Sequence, residues 1–238
     1  MRVLRLIWRN ANSKPPTEGS GVTVPISLRI TEIFTSVQGE ARDAGYPTTF
    51  IRLTGCPLRC VYCDSEYAFT GGEQMSVDTL VQTCIDRGPR RVCVTGGEPL
   101  AQPDCIHLLG QLCDAGFSVS LETSGAMDVK TVDPRVSIVM DLKTPGSGEV
   151  SKNRFENLAH LAAKDQIKVV VTDTQDLDWI DLTMDQYPQL GQVGDVWLSP
   201  AHDTMDVRVL AEHVIHSKHP YRLQIQLHKA IWGEEPGR

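Results

Sequence analysis

The chain has 238 residues, 41% of them hydrophobic and 22% charged, which suits one sizeable globular α/β domain and does not force two. Its net charge of −7 argues against a broad nucleic-acid or anionic-membrane footprint, while leaving room for a local basic pocket that takes a small anion. No apolar run approaches the roughly eighteen residues of a membrane span, and MRVLRLIWRN lacks the continuous apolar stretch of a signal peptide. Seven cysteines without an export signal then point to a reducing, cytoplasmic setting, where clustered thiols bind metal or react more often than they form bridges.

Residues 1–25 read as a flexible tail, because positions 11–23, ANSKPPTEGSGVT, are polar and rich in Pro, Gly and Ser. A short docking helix at 2–9 is the alternative. Residues 26–238 are then expected to form the one folded domain. Strands are expected at Thr49–Leu53, Arg91–Thr95, Phe117–Glu122, Val136–Leu142, Ile167–Thr172, Val196–Ser199 and Arg222–Leu227.

Amphipathic stretches lie between them. In SVDTLVQTCID, Val77, Leu80, Val81, Cys84 and Ile85 fall on one helix face, with Ser76 as the N-cap. Cys105, Leu108, Leu109, Leu112 and Cys113 repeat the pattern, and Gly116 stops that helix. KNRFENLAHLAAK, DLDWIDLTMDQY and MDVRVLAEHVIH supply three more. Alternating β and α units predict a parallel sheet with helical crossovers, an open or incomplete (β/α)6-type barrel with its chemistry at the C-terminal strand ends.

The stretch GCPLRCVYCD sets Cys56, Cys60 and Cys63 at C-x3-C-x2-C spacing. A structural zinc site closes with four ligands, so three cysteines would have to borrow one. A cubane iron–sulfur cluster on three thiolates instead leaves one iron open. Soft thiolates suit either metal. Cys84, Cys93, Cys105 and Cys113 sit on apolar faces and behave as small hydrophobes. In TGGEP, Thr95 to Pro99, two glycines let a ligand approach the backbone closely.

The cysteine spacing, with aromatic Tyr62 before the last cysteine, resembles that of radical S-adenosylmethionine enzymes. Upstream, IF-x-x-x-QGE (Ile33 to Glu40) and F-x-R-x-x-GC (Phe50 to Cys56), with GGEP, ETSG and LHK later, narrow the resemblance to the 7-carboxy-7-deazaguanine synthase family, from about Ile30 to Trp232. Family members tend to begin just before the EIF segment, so the tail could also be an upstream false start.

The resemblance implies a radical SAM barrel that converts 6-carboxy-5,6,7,8-tetrahydropterin to 7-carboxy-7-deazaguanine with loss of ammonia, on the queuosine-type route to deazapurines. It implies a [4Fe-4S] cluster on Cys56, Cys60 and Cys63, S-adenosylmethionine on the open iron, and Mg2+ aided by Ser65, where many relatives carry threonine. A homodimer and an electron-donor protein such as a flavodoxin are further expectations. Arg52 is a candidate fork for the substrate carboxylate. Gln38 and Glu40, with the backbone of Val37 and Gly39, suit the guanidine-like edge of a pterin. Thr95 and His228 are further substrate candidates. Tyr62, Gly97, the run Asp141, Leu142, Lys143 and the run Ser199, Pro200, Ala201, His202 are the cofactor candidates. Two other readings compete: a glycyl-radical activating enzyme acting on a partner's backbone, and a non-enzymatic zinc or iron–sulfur module.

Overall fold

The computed structural model describes residues 26–202, 204–233, 235 and 237. The expected tail at 1–25, with its alternative helix at 2–9, lies outside the described residues. Nine strands form one sheet among the described residues: β1 (Ser27–Val37), β2 (Pro47–Leu53), β3 (Glu73–Ser76), β4 (Arg91–Gly96), β5 (Ser118–Thr123), β6 (Ser137–Asp141), β7 (Gln166–Val171), β8 (Asp195–Pro200) and β9 (Tyr221–Leu223). Their order is β3-β1-β2-β4-β5-β6-β7-β8-β9. Every pair from β2 to β9 is parallel, so this part curls as an incomplete barrel.

The sheet is not wholly parallel, as strict alternation predicted. β1 pairs antiparallel with both β2 and β3. SLRITEIFTSV mixes polar and apolar residues because only part of this strand packs on the core, which hid it from a search for apolar runs. The hairpin matters because it carries the QGE turn back to the start of β2.

Helices α1 (Val77–Arg87), α2 (Cys105–Asp114), α3 (Thr174–Gln186) and α4 (Val207–His216) cover the barrel, and α5 (Leu227–Trp232) ends the described fold. Ser76 caps α1 by accepting from the Thr79 amide at 3.1 Å. Val77, Leu80 and Cys84 are buried as their spacing requires, whereas Ile85 at the margin of that face is exposed. On α2, Cys105, Leu108, Leu109 and Leu112 are all fully buried. Such side chains contribute ~1.5–3 kcal/mol each when removed from water.

Two expected elements differ. KNRFENLAHLAAK forms a 3-10 turn at Phe155–His160 and no α-helix. Its apolar residues Phe155, Leu158 and Leu161 recur every third position, the period of a 3-10 helix, and fully buried Asn157 pegs the segment to the carbonyls of Gly125 and Met127. The expected strand Arg222–Leu227 is only the three residues of β9, after which the chain leaves the sheet and turns into α5.

Candidate active site

Alternation along the parallel strands sorts side chains into two sets. Ile51, Leu53, Val92, Val94, Leu121, Ile138, Ile167 and Val169 form the core. The opposite set points into the barrel: Phe50 and Arg52, Thr95, Glu122, Val139 and Asp141, Lys168 and Val170, and Ser199 line a cavity of about 250 Å³. Loops close it from both ends.

The cysteine loop follows β2 at the C-terminal mouth. Cys56, Cys60 and Cys63 carry free, half-buried thiols that line the cavity. Arg59 braces the loop by donating from Nη1 to the carbonyls of Cys56 (2.8 Å) and Leu58, and its guanidinium lies over the Phe69 ring. Its backbone amide donates to Glu149 at 2.6 Å, and the Val61 amide donates to the Ser147 carbonyl at 3.1 Å. Among the described residues no three His, Cys, Asp or Glu side chains converge on a point as ligands of a single ion do. A cubane places its thiolates on separate irons, so three thiols facing a shared space fit it. Burial pushes the Cys56 and Cys60 thiols above the ordinary cysteine value, and Lys143 pulls both down.

GGEP packs against this loop. A Cβ on Gly97 would come within 2.8 Å of the Cys56 Cβ and 2.7 Å of the Gly55 carbonyl carbon. The glycine therefore admits the close approach of the protein's own backbone. Glu98 is fully buried and accepts from the Leu100 and Ser124 amides and from the hydroxyls of Thr123 and Ser124, locking GGEP to ETSG.

Beside the thiols, Lys143 donates to Asp141 at 2.8 Å and lies 5.6 Å from the centre of the Tyr62 ring. Burial opposes the Lys143 charge, yet Asp141 and the nearby thiols raise its pKa above the usual lysine value. Two buried atoms here have no hydrogen-bond partner, the Tyr62 hydroxyl and Asp141 Oδ1. Buried polar atoms without partners are rare and costly, so this corner suits a polar ligand.

The opposite end is floored by the loop after β1. It starts at the N-terminal end of β2 and reaches the beginnings of β7 and β8, where Arg42 bonds Gln166 and Asp195. Glu40 is buried in this loop and accepts from Lys168 of β7, from Gln224 (3.2 Å) and from Gln226 (2.7 Å). Burial works against the Glu40 charge, but Lys168, together with Gln226 and His228, holds the carboxyl below the usual range. Gln38 donates to Glu122 at 3.4 Å, and Thr95 donates to the same carboxylate at 3.0 Å. Arg52 donates from Nε to Glu32 at 2.7 Å, and Tyr67 donates to the same Glu32 oxygen. Among the described residues neither Nη of Arg52 has a hydrogen-bond acceptor, so one edge of the fork is held and the other is open.

Residues 50–173 match the Radical SAM superfamily. The chain is 38% identical to the 7-carboxy-7-deazaguanine synthase of Methanospirillum hungatei JF-1, over 93% of this chain and 90% of that protein. The chain belongs to the 7-carboxy-7-deazaguanine synthase family. The Chlorobaculum tepidum member is likewise 38% identical, over 87% of this chain and 96% of that protein. The crystal structure of QueE from Escherichia coli superposes with a TM-score of 0.71 at 26% identity, covering 85% of this chain and 95% of that one. As a radical SAM 7-carboxy-7-deazaguanine synthase family member, the chain is an enzyme that uses a [4Fe-4S] cluster and S-adenosylmethionine.

Within this family fold, the cavity gathers Val37, Gln38, Gly39, Glu40, Arg52, Thr95 and His228 with the three cysteines, Tyr62, Ser65 and Gly97. Asp141, Lys143, Ser199, Pro200, Ala201 and His202 line it too. Leu142 does not: its side chain joins the core, as its place between two inward residues requires. Sequence reasoning left Glu122, Lys168, Gln226 and Lys229 without roles, and all four line the cavity. Glu122 and Lys168 did leave a signal. Parallel strands buried on both faces read as near-continuous apolar runs, so the lone charges in SVSLET and QIKVVV mark inward positions.

Proposed function

We propose that this chain converts 6-carboxy-5,6,7,8-tetrahydropterin to 7-carboxy-7-deazaguanine with loss of ammonia, and that residues 26–238 act as one catalytic domain. The supporting observation is that one cavity joins the three-thiol loop to Arg52 and the QGE turn. When bound, the cluster and S-adenosylmethionine supply a radical that takes hydrogen from the substrate. Cys56, Cys60 and Cys63 hold the cluster. Tyr62, Gly97, Asp141 and Lys143, the Leu142 backbone and the 199–202 run hold the cofactor.

Every other step asked of the protein is placement and shielding. The open edge of Arg52 takes the substrate carboxylate, and Glu32 aims it by holding Nε. Glu40 and Gln38, with the backbone of Val37 and Gly39, take the guanidine-like edge at the floor. Thr95 and His228 line the walls. Ser65, whose hydroxyl donates to Asp64 at 3.4 Å, is the protein ligand for Mg2+, an ion that keeps most of its waters. A cytoplasmic setting, a flavodoxin-type electron donor and a homodimer complete the proposal. No helix of the described residues is long and apolar enough to cross a membrane.

Anaerobic turnover of the carboxytetrahydropterin tests this. Reconstituted, reduced protein with S-adenosylmethionine should give a 7-deazaguanine chromophore and one ammonia per product. No product, together with a glycyl radical formed on a partner protein, would transfer the chain to the activating enzymes.

A further inference from the structure

Lys168 is the central cation of the cavity floor, and the roles assigned so far make no use of it. It points inward from β7 and bonds Glu40, and its side chain is 18% exposed. Four carboxylates from four elements share its field: Glu40 from the QGE loop, Glu122 from β5, Asp141 from β6 and Asp64 from the cysteine loop. His228 of α5 also faces Glu40. A stability role explains this arrangement poorly, because replacing a buried ion pair with apolar side chains is often neutral or stabilising.

The acceptor arithmetic of Glu40 says more. A carboxylate offers about four lone-pair directions. Lys168 and Gln224 occupy Oε2 and Gln226 occupies Oε1, which leaves about one acceptor position on Oε1, on a residue that lines the cavity. We propose that Lys168 is a positioning residue for substrate binding: its ammonium keeps Glu40 charged and fixes the rotation that presents this remaining acceptor to an N–H of the substrate. The inference rests on the reading that Glu40 contacts the pterin edge.

The sign of the pH effect follows. Glu40 is buried, and burial alone pushes a carboxyl upward; Lys168 is the largest influence in the other direction. Without that ammonium, protonation of Glu40 moves to higher pH, and the binding it supports is lost as pH falls.

The test compares wild type, Lys168→Met, Lys168→Arg and Glu40→Gln as reconstituted holoenzymes, with kcat and KM for the carboxytetrahydropterin measured between about pH 6 and 9. Iron, sulfide and far-UV circular dichroism confirm that each variant is folded and loaded. Lys168→Met should raise KM by about ten- to a hundredfold at the acid end, with recovery toward the alkaline end and a much smaller change in kcat. Lys168→Arg should stay near wild type. A KM elevation independent of pH, a loss confined to kcat, or a Lys168→Met enzyme matching wild type would each overturn the proposal. Should Lys168→Met not fold, the double variant Lys168→Met/Glu40→Gln removes both charges. Its KM should equal that of Glu40→Gln at every pH, and an additional loss would overturn the proposal. If Glu40→Gln leaves KM unchanged, the Glu40 reading itself has failed. If Glu40→Gln raises KM while Lys168→Met does not, only the role of Lys168 falls.

Discussion

Gly39 and His228 meet so closely that a Cβ on the glycine would stand 2.8 Å from the imidazole Cγ. The Leu227 amide also donates to the Gly39 carbonyl at 3.0 Å, so the QGE turn and α5 are in backbone contact. Gly39→Ala must push the imidazole away, at an overpacking cost of about 1–3 kcal/mol. A thermal melt should fall by about 2–4 °C for each kcal/mol lost. KM for the pterin should rise while iron and sulfide content stay at wild-type levels. An unchanged KM would remove His228 from the substrate wall.

The other close glycine predicts the opposite pattern. Gly97→Ala drives a methyl group into Gly55 and Cys56, so its effect should fall on the cysteine loop. The variant should reconstitute with less iron and sulfide than wild type, read by colour and chemical assay. Full cluster content with normal turnover would show that the loop can yield.

Arg52→Ala should lower kcat/KM by about ten- to a hundredfold, the range for hydrogen bonds to charged groups. Lysine should rescue little, because a point charge cannot replace a fork held at one edge. Glu32→Gln keeps the shape but weakens the hold on Nε, so it should cost less than the loss of Arg52 itself. A near-unchanged kcat/KM in Arg52→Ala would exclude it as the clamp.

Asp195 joins the floor loop to the far side of the barrel through Arg42 and Arg222. Burial opposes its charge, but hydrogen bonds from Arg222 and Arg42 hold its carboxyl below the usual range. A carboxyl with a depressed folded pKa contributes stability above its unfolded value of about 3.9, and that contribution is lost as pH falls through the folded value. Asp195→Asn should therefore be less stable than wild type near neutrality, and the gap should close below about pH 4 in urea titrations. A constant gap at all pH values would assign the loss to packing.

The sequence was most legible where backbone and chemistry share a local pattern. Ser76 with its apolar face announces α1, and three cysteines in eight residues announce the metal loop. It was least legible where partners are distant. Nothing near Glu40 signals Lys168, which is 128 positions away, and the β1 hairpin lacks an apolar run because much of it is only partly covered. Asn157 shows a third kind of gap. Its peg to the ETSG loop is a tertiary fact, and it helps hold as a 3-10 turn a segment whose composition suits a helix.

The incomplete barrel has a seam, and its fastening includes Glu40, Ala41 and Gly39 on one side and Gln224, Gln226 and Leu227 on the other. These few polar contacts also shape the chamber where the ligand is read. Gentle warming or dilute denaturant should unclasp this join first, so the enzyme would fall silent while its helices and strands still gave a native spectrum.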